Sequence, residues 1–183
     1  MSMYSVSANT LPPGHPNKSR EDFINCLRHV AAGVYVITTH GKTGELGATV
    51  SSFCSVSADP PTVLICLRAE SRIAKAVTAN SKFTVNIISQ GDESIARRFA
   101  GMNDLEVDNR FSGLEYQIDP VYGPKLGKTG WLDCDVLSTE KQATHLIVIA
   151  RVTNTFSQQQ PAIAWMNGQF HCLKTYEQVS IND

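Results

Sequence analysis

The sequence has no excess of charge of either sign. Its 16 Lys and Arg residues nearly balance 17 Asp and Glu residues, which gives a formal net charge of −1 at pH 7. Because a nucleic-acid-binding surface needs a basic excess to neutralise phosphates, nucleic-acid binding is disfavoured. Only 18% of the residues are charged, compared with about 25% in an average domain. That low fraction would fit a chain that buries part of its surface against another subunit.

Paired cysteines are also missing. The chain has five cysteines, an odd number, and none lie in a CxxC spacing: Cys26, Cys54, Cys66, Cys134 and Cys172. A disulfide framework and a zinc site are therefore disfavoured, and no metal site is predicted. We expect free thiols in a reducing, cytoplasmic compartment, most of them packed as small buried hydrophobic residues.

No apolar run approaches the roughly 20 residues of a membrane helix, so no membrane span is predicted. The N-terminus lacks the basic and apolar regions of a secretory signal. Residues 1–18 contain Pro12, Pro13 and Pro16 and are predicted to form a flexible tail. Residues 19–183 are predicted to form one domain.

The sequence contains no GxGxxG, no Walker A motif and no regular βαβ alternation, which argues against a doubly wound parallel sheet. A helix is predicted to begin at Ser19 and end by Gly33. Two more helices are predicted over 72–79, capped by Ser71, and over 92–99. Apolar and β-branched runs predict strands over 34–40, 46–57, 62–67, 83–89, 131–139, 144–156 and 169–175, the first two paired as a hairpin. This order predicts a mainly β fold, a β-barrel with peripheral helices.

The segment GATVSSFCSVS (47–57) combines an extended, partly apolar pattern with many short hydroxyls. One interpretation is a serine-rich edge strand with no ligand. The other is a cradle for a planar heterocycle, because backbone N–H groups and hydroxyls on a strand edge bond the polar rim of a ring, and short side chains let the ring approach.

A set of motifs favours the second interpretation. In order, they are HVAAGVYVITT, GATVSSFCSVSADPP, LICLRAESR, KFTVNIIS, ARRFAG and ATHLIVIARV. From about Phe23 to Leu173 the chain resembles the flavin reductase-like domain family, the small NAD(P)H:flavin oxidoreductases of two-component monooxygenases. The resemblance implies an FMN-binding split barrel, a homodimer, and hydride transfer from NADH or NADPH to FMN or FAD. Reduced flavin would then pass to a monooxygenase partner.

Two alternatives remain on the same fold. One is reduction of another acceptor, such as a corrinoid cobalt or ferric complex, and the other is a non-catalytic flavin-binding dimer. The cofactors carry the chemistry of hydride transfer, so no catalytic side chain is predicted.

The resemblance implies a site at particular positions. The residues beside the flavin ring and ribityl chain would be Thr49, Val50, Ser51, Ser52, Cys66, Leu67, Arg68, Phe99, Ala100 and Gly101. Ser71 and Arg72 would lie near the flavin phosphate, with Arg68 as an alternative cation. His145 would meet the nicotinamide nucleotide, and His171 matches a second, less regular position.

Several of these residues also have a structural interpretation: Ser71 as a helix cap, Arg72 as a solvated cation, Phe99 as core, Gly101 as a helix C-cap and the histidines as hydrogen-bonding residues. Ala143-Thr144 and PAIAW (161–165) depart from the Gly-Asp and Pro-Leu-Leu-Tyr of many relatives, so the pattern is weaker on the nicotinamide side than on the flavin side.

Overall fold

A computed structural model describes residues 20–42, 44–102 and 109–173. The predicted tail, residues 1–18, lies outside these ranges. Within them, no helix is both long enough and apolar enough to cross a bilayer.

The described residues form three short helices and ten strands. The helices are α1 (Arg20–Arg28), α2 (Arg72–Asn80) and α3 (Glu93–Phe99). The strands are β1 (Ala32–Gly33), β2 (Tyr35–Gly41), β3 (Gly44–Val50), β4 (Phe53–Ala58), β5 (Pro61–Arg68), β6 (Lys82–Ile87), β7 (Gly130–Gln142), β8 (His145–Ser157), β9 (Ile163–Met166) and β10 (Gln169–Cys172). Asp59-Pro60 is a cis peptide bond.

Seven strands form one antiparallel sheet in the order β3-β2-β6-β7-β8-β5-β4, and a small second sheet has the order β1-β9-β10. The large sheet curls on itself. Tyr35 of β2 and Phe53 of β4 belong to strands near its opposite ends, yet their ring centroids are 4.6 Å apart. The predicted mainly β architecture is therefore confirmed.

Two hydrophobic clusters stabilise the fold. Inside the curled sheet, α2 buries Ile73, Ala74 and Val77 among strand residues such as Phe83 and Val148. Outside it, a second cluster joins β2, α3, the 109–126 segment and the small sheet: Val34, Val36, Ile88, Ala96, Phe99, Phe111, Leu126 and Ile163. This second cluster fixes α3 and the small sheet beside the end of β3.

The prediction of one strand over 46–57, paired as a hairpin with 34–40, is wrong in its second half. The chain bends at Ser51, so β3 pairs with β2 while β4 pairs with β5 at the other end of the sheet. The first helix also ends earlier than predicted, at Arg28, because Gly33 pairs with Ala164 in the small sheet. Strands β1 and β9 were not predicted; they pair with each other although they lie far apart in the sequence.

The expectation that most cysteines are buried is wrong. Cys134 in β7 is buried and Cys66 in β5 is half-buried, but Cys26, Cys54 and Cys172 are exposed. The three exposed thiols lie on elements with an open face: α1, which buries no residue, the edge strand β4, and the end of β10.

Candidate functional site

A cavity of about 200 Å³ lies where β3 ends, between the residues that follow α3 and the small sheet. Its walls are Val34, Thr49, Val50, Ser51, Ala100, Met102, Trp165 and Phe170. We call it the aromatic cavity. Four residues predicted for the flavin site line it together: Thr49, Val50, Ser51 and Ala100.

The two hydroxyl residues of the aromatic cavity differ in their bonding. Thr49 Oγ1 donates a hydrogen bond of 2.7 Å to the carbonyl oxygen of Ala96, so this hydroxyl ties β3 to α3. The exposed Ser51 side chain makes no hydrogen bond within the described residues. The Ser51 hydroxyl is therefore available to a ligand, whereas the Thr49 hydroxyl already donates its proton to Ala96.

The cavity wall formed by the residues that follow α3 is supported by the close packing of Phe99. Phe99 is 1% exposed and packs edge-on against Phe111 at 4.9 Å, so its ring lies in the core rather than in the cavity. Gly47 makes room for it, because a Cβ there would lie 2.6 Å from Phe99 Cε1. Gly101 follows the helix with φ at +75°, the left-handed conformation that a helix C-cap glycine adopts. Ala100, between them, is the residue that faces the cavity.

A second cavity, of about 440 Å³, lies between the β5–α2 turn and the β7–β8 turn. Its walls are Arg68, Ala69, Glu70, Ser71, Lys141, Ala143 and Thr144. We call it the basic cavity. Ser71 caps α2, since its Oγ accepts the Ala74 N–H at 3.3 Å. Arg68 and Arg72 are both exposed, but of the two only Arg68 lines the cavity.

A backbone strip connects the two cavities. Beyond Ser51, the Ser52 hydroxyl donates to the Cys66 carbonyl oxygen at 2.7 Å, and the Cys66 N–H donates to the Ser52 carbonyl oxygen at 3.1 Å. The strip continues through Leu67 to Arg68. Leu67 is 2% exposed and its side chain belongs to the core. Both backbone groups of Cys66 are therefore bonded to Ser52, and Leu67 pairs with Leu146 in the β5–β8 ladder, so these residues fix the shape of the strip.

The two histidines lie in different surroundings. His145 pairs with Arg68 in the β5–β8 ladder, is exposed, and has its Nδ1 3.0 Å from Thr144 Oγ1, so it borders the basic cavity. His171 lies beside Phe170 in the β9–β10 hairpin, with its Nε2 3.1 Å from the Met166 carbonyl oxygen. That bond within the hairpin gives His171 a structural role.

Some lining residues were missed by the sequence reasoning. Trp165 and Phe170 contact each other edge to face at 4.9 Å in the aromatic cavity. Trp165 is the aromatic residue of the PAIAW segment, so the sequence pattern could have indicated it as a lining residue. Lys141 Nζ lies 3.0 Å from Glu70 Oε1 although the two residues are 71 positions apart, and no local sequence pattern predicts such a contact. Within the described residues, no cluster of His, Cys, Asp and Glu is placed to hold a metal ion.

Comparisons with known proteins show what this chain is similar to. The 4-hydroxyphenylacetate 3-monooxygenase reductase component of Escherichia coli is 29% identical over 157 residues, covering 85% of this chain and 92% of that protein. FMN reductase (NADH) RutF of Ancylobacter novellus is 33% identical over 138 residues and 75% of each chain. The Streptomyces globisporus NADH:FAD oxidoreductase SgcE6, solved with NAD and FAD fragments, superposes with a TM-score of 0.77 at 25% identity, covering 88% of this chain and 95% of that one.

The family model described as flavin reductase like domain matches residues 27–174, which include both cavities and the strip between them. The chain therefore belongs to the flavin reductase like domain family.

Proposed function

We propose that the protein is an NAD(P)H:flavin oxidoreductase that transfers a hydride from NADH or NADPH to FMN or FAD. It would work in the cytoplasm as the reductase component for a monooxygenase, which receives the reduced flavin. The observation that carries this proposal is the backbone strip that joins an aromatic, hydroxyl-lined cavity to a basic one. A flavin has the same two-part chemistry, a planar ring and an anionic phosphate.

The residues present fit a flavin in the manner of an FMN-binding split barrel. Val50 and Ser51 would lie along the ring, where Ser51 offers a free hydroxyl and β3 ends with its backbone accessible. Across the cavity, Trp165 gives an apolar face. At the other end of the strip, Arg68 and the α2 N-terminus behind Ser71 are suited to a phosphate.

When bound, the flavin and the nicotinamide nucleotide supply the redox chemistry between them. The chain's own residues would hold the two rings in contact and exclude water from between them. Trp165 and Phe170 form the apolar wall that excludes water. His145 would hold the nicotinamide nucleotide, in keeping with its exposed place beside Arg68. No side chain is required to move a proton.

We also propose that the protein is a homodimer. Helix α1 buries no residue in the single chain, and Phe23, Leu27 and Val30 are 61%, 51% and 56% exposed. Phe23 and Leu27 lie at i and i+4 on one face of the helix, and Val30 follows two residues after its end, so the three form one exposed apolar patch. A second copy covering this patch would explain an amphipathic helix that finds no core within the described chain.

The test is NADH and NADPH oxidation by the purified protein with added FMN, FAD or riboflavin. We expect flavin-dependent turnover. Turnover with a ferric or corrinoid acceptor in preference to flavin would favour the other-acceptor alternative. Flavin binding without NAD(P)H oxidation would favour the alternative of a non-catalytic flavin-binding protein.

A further inference from the structure

The basic cavity is larger than the aromatic cavity, and its two cations come from different strands, Arg68 from β5 and Lys141 from β7. Its walls hold two cations, Arg68 and Lys141, and one anion, Glu70. Lys75 lies just outside, with its Nζ 3.5 Å from Glu70 Oε2. Arg68, Lys141 and Lys75 carry three positive charges against the single negative charge of Glu70, so the cavity and its rim have a net positive charge.

Glu70 is held by two lysines from different elements. Lys141 Nζ donates to Glu70 Oε1 at 3.0 Å, and Lys75 contacts the other carboxylate oxygen. The hydrogen bond from Lys141, followed by the charge of Lys141 and then by Lys75, holds the pKa of the Glu70 carboxyl below its usual range. The side chains of Glu70 and Lys141 are 77% and 61% exposed, so the pair is open to exchange with a solute.

The opposite wall of the cavity is a tight turn that leaves room for a ligand. Ala143 has φ at +49° in the turn between β7 and β8, and the side chains of Ala143 and Thr144 are short. The Ala69 N–H donates to the Thr144 carbonyl oxygen at 3.0 Å, which fixes this turn against the β5–α2 turn. This bond fixes the backbone of the two turns relative to each other, and the Lys141 side chain reaches across from β7 to Glu70.

We propose that the basic cavity binds the second phosphate of a dinucleotide, with Lys141 as the residue that selects a dinucleotide over a mononucleotide. Glu70 is the internal counterion, and a phosphate oxygen replaces its carboxylate on Lys141 when the ligand binds. This inference rests on the proposed function, and it adds to it a preference between nucleotide classes. FAD and NADH share the pyrophosphate chemistry, so the experiment has an arm for each.

The experiment measures dissociation constants for FMN and FAD, and for NADH and reduced nicotinamide mononucleotide, with wild type and Lys141→Gln. We expect the variant to weaken one dinucleotide by about 2- to 10-fold, because the phosphate contact of an exposed lysine is partly screened by solvent. Both mononucleotides should change by less than about twofold. A loss confined to FAD places the flavin's second phosphate here, and a loss confined to NADH places that of the nicotinamide nucleotide.

The matched control is Lys75→Gln, which removes the other partner of Glu70 but no wall of the cavity, and it should leave all four constants within about twofold. Glu70→Gln should tighten the same dinucleotide that Lys141→Gln weakens. Equal weakening of FMN and FAD binding by Lys141→Gln, or no change in the binding of either dinucleotide, overturns the inference. If the protein still reduces flavin with NADH in that case, the proposed function is unaffected. Failure of wild type to bind any of the four nucleotides overturns both.

Discussion

Replacing Gly47 by alanine should disturb the packing that supports the aromatic cavity. The new Cβ would lie 2.6 Å from Cε1 and 2.7 Å from Cδ1 of Phe99, and 3.3 Å from Phe111 Cζ. Phe99 is 1% exposed and Phe111 is 3% exposed, so neither ring has space into which to move. Overpacking of a filled core costs about 1–3 kcal/mol. For a domain of this size each kcal/mol lowers the melting temperature by about 2–4 °C, so we expect a decrease of about 2–12 °C.

The same substitution should weaken flavin binding, because relief of the clash moves α3. Thr49, two residues along β3, is bonded to α3 through Ala96, and Ala100 after the helix lines the aromatic cavity. Thermal unfolding gives the stability and titration with FMN gives the affinity.

A double-mutant cycle with Phe99→Leu separates the clash from other effects of Gly47→Ala. The smaller side chain removes the ring that the new methyl group meets, so the double variant should be more stable than the sum of the single variants by at least about 0.5 kcal/mol. Additive losses would refute the reasoning, since they would show that the two positions do not compete for the same space. A Gly47→Ala variant that melts with wild type would refute it as well.

Three more predictions follow from the described contacts. Arg68→Ala should weaken FMN binding by about 2- to 10-fold in a titration and Arg72→Ala by less than about twofold, because of these two exposed arginines only Arg68 lines the basic cavity; the reverse order would place the phosphate at Arg72. Asp133→Asn should lower the free energy of unfolding in urea by about 1–3 kcal/mol, because it removes the buried carboxylate 3.0 Å from Lys125, which is 8% exposed and keeps Asp119 at 2.9 Å; a loss under about 0.5 kcal/mol would contradict this. Burial, together with the charges of Asp133 and Asp135, raises the pKa of the Cys134 thiol from 9.0 to about 12, so this thiol should react with a disulfide reagent only when the protein unfolds; rapid labelling in the folded protein would contradict this. Because the unfolded chain ionises at the lower pKa, the folded protein should lose stability as pH rises between these two values.

The parts of the fold that the sequence predicted are those set by local chemistry. The run TVLICL in β5 and the β-branched run in β2 are recognisable without their partners. Ser71 caps α2 because a hydroxyl before an apolar helix satisfies a free N–H wherever that helix lies. The prediction of Thr49, Val50 and Ser51 as site residues followed from a family resemblance that six ordered motifs carry from about Phe23 to Leu173.

The parts that were missed depend on contacts between distant segments. Nothing local shows that the chain bends at Ser51 and changes its pairing partner, because strand pairing is decided by the whole sheet. The exposure of Cys54 follows from β4 being an edge strand, which is a property of the topology. Lys141 meets Glu70 only because two turns face each other across the β5–β8–β7 ladder.

The proposed hydride transfer is tested most directly by mixing the protein with equal amounts of FMN and NADH in the absence of oxygen. We predict that the visible absorbance of the flavin bleaches and that one NADH is consumed for each flavin reduced, far faster than in a mixture without protein. If the protein binds the flavin while both NADH and the flavin spectrum stay unchanged, and the same holds with NADPH and with FAD in place of FMN, the chain is not a flavin reductase.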